Sequence, residues 1–530
     1  MQLLSKTEKK QLLITCLLYS MESIVIAVAA YVSGKMVDRV GSGDEAGLIR
    51  LFVWALFIAL FLYALVILAT YTRFLFLSSA AFLIRNDLVK SFLRRPLKSF
   101  RGENDAFYMN LLTTDISLLN NDYFNVIPYI CHSITAILAS CIMLFFIQPA
   151  LVGVALVVAV IPFVTVRPLT KVEQRRKTDY SNVSEKYTEV RKELIEGYET
   201  IRQNGGEGSF LRRHTVSHDE MQCALKKYNI VSTLSFETLL SIAGFSNLIC
   251  LFVGGLLTLR GYISIGMLFA IQSYFSSISN GFSNVLDYFI KILSTRGVVE
   301  KISTQEQMAA DEGGIIASGV DLGITYHDVS FSFDDRILYK HFDFRAEPGN
   351  IYAIVGESGT GKTTLLRLLL KYYDDYSGEI RINDNDIRQI SETELYRRVK
   401  VVEQTPYIFN ASLRDNITMF QPDSETDNAL YNQILKKLDL EKVAGQTGDH
   451  PLGDFGDRLS GGEKQRIGIA RALIHKPSVL LFDEPAASLD PDTRDKINEI
   501  IFSLEGITRI VITHDHRPEY LCRFSDSVML

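Results

Sequence analysis

The 530-residue sequence predicts an α-helical membrane domain, with six transmembrane helices and long cytoplasmic extensions, followed by an α/β P-loop domain. Three observations predict it. Apolar residues gather into six long runs, the last ending at residue 290. That pattern fades over residues 303–323, where glycine, serine and acids accumulate. A buried-strand pattern at 350–355 then leads into a glycine-rich loop and a helix.

Hydrophobic residues make up 47 % of the chain, near the globular average, yet mean hydropathy is positive at +0.13. Apolar residues concentrated in runs and diluted by a polar domain give that combination. Lys and Arg outnumber Asp and Glu by 30 to 26 in residues 1–320, and are outnumbered 25 to 35 in residues 321–530. A mildly basic apolar half before an acidic half excludes a nucleic-acid binder. The six cysteines are scattered without CxxC spacing, which points to packing rather than metal or disulfide chemistry.

A span needs about 20 mostly apolar residues. The runs fall at 11–33, 51–72, 126–147, 150–167, 238–259 and 263–290, within a membrane domain read as residues 1–302. The first is too long for a signal-peptide core and reads as a retained span. Only Gln148-Pro149 separates the third and fourth runs, so these form a tight hairpin. The intervals 73–125 and 168–237 are helical in pattern and rich in Lys and Arg, among them Arg73, Arg94, Arg95, Arg175, Arg176 and Lys177. The positive-inside tendency places both in the cytoplasm, with Lys6, Lys9 and Lys10 holding the N-terminus there. An even number of spans returns the C-terminal domain to the same side.

Residues 303–323 read as a linker and 324–530 as the second domain. The strand at 350–355 enters Gly356-Glu357-Ser358-Gly359-Thr360-Gly361-Lys362-Thr363-Thr364, a Walker A sequence in the strand–loop–helix context it requires. Its glycines let backbone N–H groups approach phosphates, and the helix N-terminus adds a positive dipole. Lys362 reaches the β/γ-phosphates and the Thr363 hydroxyl ligates Mg²⁺. The apolar strand 478–482 ends in Asp483 and Glu484, a Walker B pattern in which Asp483 holds Mg²⁺ and Glu484 polarises the attacking water. Between the two lies Leu459-Ser460-Gly461-Gly462-Glu463-Lys464-Gln465-Arg466, opening another helix.

That LSGG-x-x-Q-R sequence resembles the signature of ABC ATPases, and the family's other motifs follow in order. Val329-Ser-Phe-Ser-Phe333 resembles the A-loop, whose terminal aromatic stacks on adenine. Gln404 resembles the Q-loop glutamine that senses Mg²⁺. Ala487-Ser488-Leu489-Asp490 is similar to the D-loop, and His514 to the switch histidine at the γ-phosphate. The resemblance implies that Ser460, Gly461 and Gly462 clamp ATP held by the opposing subunit. In the first half, Arg85–Phe100, Leu112–Asp115, Glu196–Arg202 and Gly261–Gly266 are similar to segments of the exporter branch. His450-Pro451-Leu452-Gly453 lacks the glutamate usual in the family's X-loop, and Phe333 replaces the commoner tyrosine. Because the chain ends soon after His514, a shortened C-terminal edge is expected. From the short polar start, no leader-peptide protease domain is expected.

What the resemblance implies is a half-transporter of the exporter type, with ATP and Mg²⁺ as cofactors and a second half-transporter as partner. Intact Glu484 and an intact signature favour an identical chain as that partner. An amphipathic substrate (peptide, lipid or drug-like), a multi-pass location with both termini cytoplasmic, and a bacterial cell membrane are expected. The alternatives are a siderophore-type importer and an ATP-gated channel or regulatory subunit. A further expectation concerns Glu22, near the middle of the first span. A carboxylate at that depth costs about 2.5–3.5 kcal/mol on insertion scales. Apart from Arg167, the last residue of the fourth run, no Lys or Arg lies within the six runs to pair with it. Glu22 is either protonated and hydrogen-bonded, with His132, Gln272, Asn280, Asn284 and Asp287 as candidate partners, or faces a substrate cavity.

Overall fold

Backbone that cannot reach water must satisfy its N–H and C=O groups locally, and the first part of the chain does so with helices. The computed structural model describes residues 4–307, 322–333, 336–357, 359–422, 427–487 and 489–530. Ser358, Ser488 and linker positions 308–321 lie outside the described residues. The chain divides into one unit of Met1–Val89 with Ala106–Glu306, and a second of Lys90–Asp105 with Gln307–Leu530.

In the first unit α1 (Lys6–Ser42) starts at Ser5, whose hydroxyl accepts from Thr7 N, and stops at left-handed Gly43. It is followed by α2 (Glu45–Leu93) and α3 (Val126–Ile147). Pro149 opens α4 (Pro149–Glu196) at a position where its missing N–H costs nothing. Then come α5 (Glu207–Leu259) and α6 (Ile265–Ser294), the latter capped by Ser264. α1, α3 and α6 pack on one another, α4 runs along α5, and α6 touches both. Leu144, Leu151, Cys250, Ile271, Tyr274 and Ile278 are buried between them.

The tightest crossing is between α1 and α6. A Cβ built on Gly266 would stand 2.0 Å from the Gly34 carbonyl oxygen, and one on Gly34 would stand 2.7 Å from that of Gly266. Small residues let two backbones approach, the usual device between helices in lipid. The Asp38 carboxylate then accepts from Gly266 N (2.8 Å) and Ser264 Oγ (2.7 Å), so α1 supplies part of the cap of α6.

α2 is apolar almost all round, and exposes Phe52, Trp54, Phe57, Leu60, Phe61 and Tyr63. Such a surface suits hydrocarbon and not water. Among the described residues, Lys6–Ser42, Glu45–Leu93 and Phe107–Ile147 are long and apolar enough to cross a membrane, with shorter apolar helical stretches at Pro149–Val158 and Asn247–Leu259. α6 is not in that set, because Gln272, Asn280, Asn284 and Asp287 dilute it.

The helices also run beyond the apolar runs. Arg73 lies within α2, where its Nη1 donates to Asn125 Oδ1 (3.4 Å) and to Tyr129 Oη. His132 Nδ1 lies 2.8 Å from Ser23 Oγ, next to Glu22. Asp287 pairs with Lys291 at 3.0 Å along α6. The helix entering α3 carries two π-helical turns, Leu111–Asp115 and Leu119–Phe124, and Asp115 accepts from Lys301 at 2.7 Å.

In the second unit, β1 (Ile324–Phe333), β2 (Arg336–Ala346), β4 (Ser377–Ile382) and β5 (Asn385–Asp386) form an antiparallel sheet in the order β2-β1-β4-β5. β3 (Ile351–Val355), β6 (Val399–Val402), β7 (Val479–Asp483), β8 (Thr508–Thr513) and β9 (Asp526–Met529) form a parallel sheet in the order β6-β7-β8-β3-β9. β3 is buried throughout, as a central parallel strand must be. Helices α7 (Lys362–Leu369), α8 (Gly461–Leu473) and α9 (Pro491–Phe502) complete the α/β architecture. The short helix Leu97–Arg101 also belongs to this unit. Leu97 N donates to Glu392 Oε2 (3.1 Å), Lys98 pairs with Asp374 and Asp375, and Arg101 lies over the Tyr372 ring at 4.7 Å.

The Gly34–Gly266 crossing is directly testable. Gly266→Ala places a methyl group against backbone that cannot swing away, and overpacking of this kind costs about 1–3 kcal/mol. A lower Tm of the purified chain in detergent is expected, and an unchanged Tm would contradict so close a crossing.

Candidate functional site

Three neighbouring parallel strands end at one place. The β3–β8 register pairs Val355 with Thr513, and the β7–β8 register pairs Asp483 with Ile512. Gly356, Glu484 and His514, the residues just beyond each end, are thereby brought together. His514 Nδ1 lies 2.7 Å from the Gly356 carbonyl oxygen, and Nε2 lies 2.5 Å from Glu484 Oε1. Both ring nitrogens of His514 are thus engaged, one by backbone and one by the Glu484 carboxylate.

Lys362 is almost wholly buried at the first turn of α7. Its Nζ donates to the carbonyls of Gly356 (2.9 Å) and Glu357 (2.7 Å) and stands 3.6 Å from Glu484 Oε1. The loop before it needs glycine at Gly361, whose φ is +99° and where a Cβ would fall 2.4 Å from Tyr339 Oη. Thr360 Oγ1 donates to the Glu357 carbonyl (3.0 Å), and Thr364 N to that of Gly361 (2.6 Å), so the loop is braced from within.

Thr363 Oγ1 donates to Asp483 Oδ1 at 2.8 Å. Burial raises the Asp483 carboxyl above its ordinary pKa, opposed chiefly by that hydrogen bond. Glu484 itself is held at φ +48°, the left-handed region that a residue with a side chain rarely adopts. Such strain costs of order 1–3 kcal/mol and persists only where the surroundings enforce it. Here Glu484 N donates to the Ile512 carbonyl at 3.2 Å. Gln404 Nε2 reaches Glu484 Oε2 at 3.5 Å, which places Gln404 at the edge of the group.

The remaining sequence-singled residues stand apart from this cluster. Ser460 caps α8 through a reciprocal pair with Glu463, with each backbone N–H donating to the other side chain. Gly461 and Gly462 lie at the start of that helix. A Cβ on Gly462 would sit 2.4 Å from Thr493 Cγ2, so glycine there lets α8 approach α9. Asp490 caps α9 by accepting from Thr493 N at 3.0 Å, a bond that also holds its carboxyl below the usual carboxylate range. Leu452, in the segment without the usual glutamate, donates its N–H to the Ala411 carbonyl at 3.0 Å. Phe333, at the end of β1, keeps 41 % of its surface exposed. Glu22, in the first unit, lies within electrostatic reach of His132.

Sequence reasoning missed the brace beneath the loop. Tyr339, on β2, donates its hydroxyl to the Gly361 carbonyl, and Arg336 Nη2 donates to that of Gly359 at 3.3 Å. It also missed Tyr373, whose ring meets Phe333. No spacing rule flags them, because a separate antiparallel sheet brings Arg336 and Tyr339 to the loop and Phe333 to Tyr373.

A buried lysine under a glycine loop, a hydroxyl–carboxylate pair, and a histidine-bound carboxylate at a parallel sheet edge define a P-loop ATPase site, here in a chain with apolar membrane-crossing helices. Comparison with known families then agrees over both units. The ABC transporter transmembrane region matches residues 12–282 and the ABC transporter domain residues 339–487. The chain belongs to the ABC transporter family, and it is a multi-pass membrane protein. It is 29 % identical over 362 residues to the ATP-dependent permease MDL2, mitochondrial, of Saccharomyces cerevisiae, an alignment covering 66 % of this chain and 47 % of that one. It is 28 % identical over 456 residues to ATP-binding cassette sub-family B member 10, mitochondrial, of Mus musculus, covering 81 % of this chain and 62 % of the other. The chain thus spans about half to two-thirds of the length of these relatives. The solved structure of a bacterial Atm1-family ABC exporter with ATP bound shares the fold, with a TM-score of 0.82 at 19 % identity, covering 99 % of this chain and 94 % of that one.

The cluster predicts distinct lesions. Glu484→Gln keeps the shape of the side chain but cannot accept a proton. Turnover is expected to fall about 10²–10⁴-fold while ATP–Mg²⁺ binding is retained. His514→Ala should act in the same direction, and Lys362→Ala should weaken nucleotide binding itself. Steady-state hydrolysis together with equilibrium nucleotide binding distinguishes the three, and near-normal turnover in Glu484→Gln would remove it as the base.

Proposed function

We propose that this chain is an exporter-type half-transporter that couples ATP hydrolysis to moving an amphipathic substrate (a peptide, lipid or drug-like molecule) across a membrane. Residues 1–302 serve as the membrane domain, 303–323 as linker and 324–530 as the ATPase. The observation that carries this reading is the meeting of Lys362, Glu484 and His514 at the ends of β3, β7 and β8. A catalytically silent regulatory subunit would not need that group intact.

In this reading Lys362 and the N-terminus of α7 bind the β/γ-phosphates, with Gly356, Glu357, Ser358, Gly359, Thr360, Gly361, Thr363 and Thr364 forming the cradle. Phe333 stacks on the nucleobase. Glu484 accepts the proton of the attacking water, and His514 holds that carboxylate in place while facing the γ-phosphate. Thr363 and Asp483, already 2.8 Å apart, offer the hard oxygen donors that Mg²⁺ takes, and Gln404, beside Glu484, would join them. When bound, Mg²⁺ neutralises charge on the phosphates.

Ser460, Gly461, Gly462 and Asp490 make their own contacts around α8 and α9, away from Lys362. Their role in binding ATP therefore requires a second chain, and we take that chain to be identical. The ATPase domain and both termini lie in the cytoplasm, with a bacterial cell membrane as the setting.

Two experiments test this. Mixing a Lys362→Ala chain with a Ser460→Arg chain puts both lesions in one of two shared sites and leaves the other whole. Recovered hydrolysis on mixing supports the identical-chain dimer, and a purified chain that stays inert until a different subunit is added rejects it. For the membrane side, Glu22→Gln in proteoliposomes should lower transport and substrate-stimulated hydrolysis if Glu22 faces a cavity. Unchanged transport with unchanged substrate affinity returns Glu22 to a structural role.

A further inference from the structure

The Phe333 ring is not held by the strand alone. It meets Phe331 at 5.0 Å and 81°, and Tyr373 at 5.1 Å and 86°, both edge-to-face. Phe331 and Tyr373 are themselves 5.4 Å apart. Edge-to-face is a favoured aromatic geometry, and a ring held by two such contacts loses its freedom to turn. Phe331 is buried, so it forms the floor. Tyr373 is half-buried and forms the side wall. Phe333 also pairs with Arg336 in the β1–β2 register, and Arg336 reaches the Gly359 carbonyl, so this corner lies beside the phosphate loop.

Tyr373 stands just beyond the C-terminus of α7, the helix whose first residues are Lys362 and Thr363. The neighbouring side chains are each engaged. Lys371 donates to the Ile390 carbonyl, Tyr372 lies under Arg101, and Asp374 and Asp375 hold Lys98. α7 and the few residues after it therefore carry the phosphate-binding groups at one end and the Phe333 brace at the other.

We propose that Tyr373 is a positioning residue for the nucleobase. It holds the Phe333 ring nearly perpendicular to its own, and so fixes where that ring stands relative to the phosphate site. This rests on the reading of Phe333 as the nucleobase-stacking residue. The base then binds a wall that is already ordered, and the cost of ordering it on binding is avoided.

The test uses the full chain in lipid nanodiscs, with KM and kcat for ATP and the inhibition constant of inorganic tripolyphosphate, which has no base. Tyr373→Ala is expected to raise the ATP KM about three- to tenfold, with kcat within about twofold and tripolyphosphate inhibition unchanged. Tyr373→Phe should restore the KM, because the edge contact needs the ring and not the hydroxyl. Tyr373→Leu keeps the bulk without the ring, should resemble Tyr373→Ala, and serves in its place if that variant does not fold. Phe333→Ala tests the underlying reading separately. If it leaves KM unchanged, Phe333 is not the stacking residue and the inference falls with it. If Phe333→Ala raises KM while Tyr373→Ala and Tyr373→Leu do not, the inference alone is overturned. A parallel weakening of ATP and tripolyphosphate would also overturn it, as general damage to the loop.

Discussion

The site depends on the parallel register of three strands. Each of β3, β7 and β8 must be hydrophobic enough to be buried on both faces, and must stop at the same level. Were β7 to slip by one residue against β8, Asp483 and Glu484 would exchange faces. Thr363 would lose its carboxylate, and His514 would face the wrong acid. The chemistry is therefore set by the hydrophobic run Val479–Phe482 as much as by the acids that follow it. The strained backbone of Glu484 fits that account, since the chain must turn sharply there to aim the carboxylate back at His514.

Two kinds of residue separate when sequence and structure are compared. Lys362, Thr363, Asp483, Glu484 and His514 were legible because each sits at a fixed offset from a local strand–loop–helix event, and local events have sequence signatures. Tyr339, Arg336 and Tyr373 were not. Arg336 and Tyr339 are ordinary strand residues that reach the loop only because the antiparallel sheet folds against it, and Tyr373, past the end of α7, meets Phe333 of that sheet. The membrane half divides in the same way. Apolar runs marked where α1, α2 and α3 lie, but helices do not end where hydropathy ends. Arg73, assigned to a cytoplasmic interval, continues α2 and reaches Tyr129 and Asn125. α6 is the converse case. Its polar residues lower its hydropathy although it packs against α1, α3, α4 and α5.

The contrast between the two units is one of solvent. The ATPase unit hides its aromatic residues in two cores on either side of the parallel sheet, and the few it exposes, Phe333 among them, stand out. In the membrane unit exposure is the rule for large apolar side chains, so an exposed phenylalanine on α2 carries no functional signal. There the informative residues are small or polar ones: Gly34 and Gly266 where backbones touch, and Asp38 capping a neighbouring helix.

The paired π-helical turns at Leu111–Asp115 and Leu119–Phe124 have a consequence for how this chain is compared with others. A π turn holds one residue more than the α-helical turn it replaces, so each rotates everything after it by about 100° about the helix axis. Across both, the phase shifts by about 200°, and a stripe drawn from residue 105 into α3 at α-helical spacing emerges on nearly the opposite side. A relative lacking one of these extra residues keeps the same face of α3 toward α1 and α6 by running α-helical through that turn. Insertions of a single residue between 110 and 125 are therefore absorbed within the helix as π turns rather than as changes of loop length.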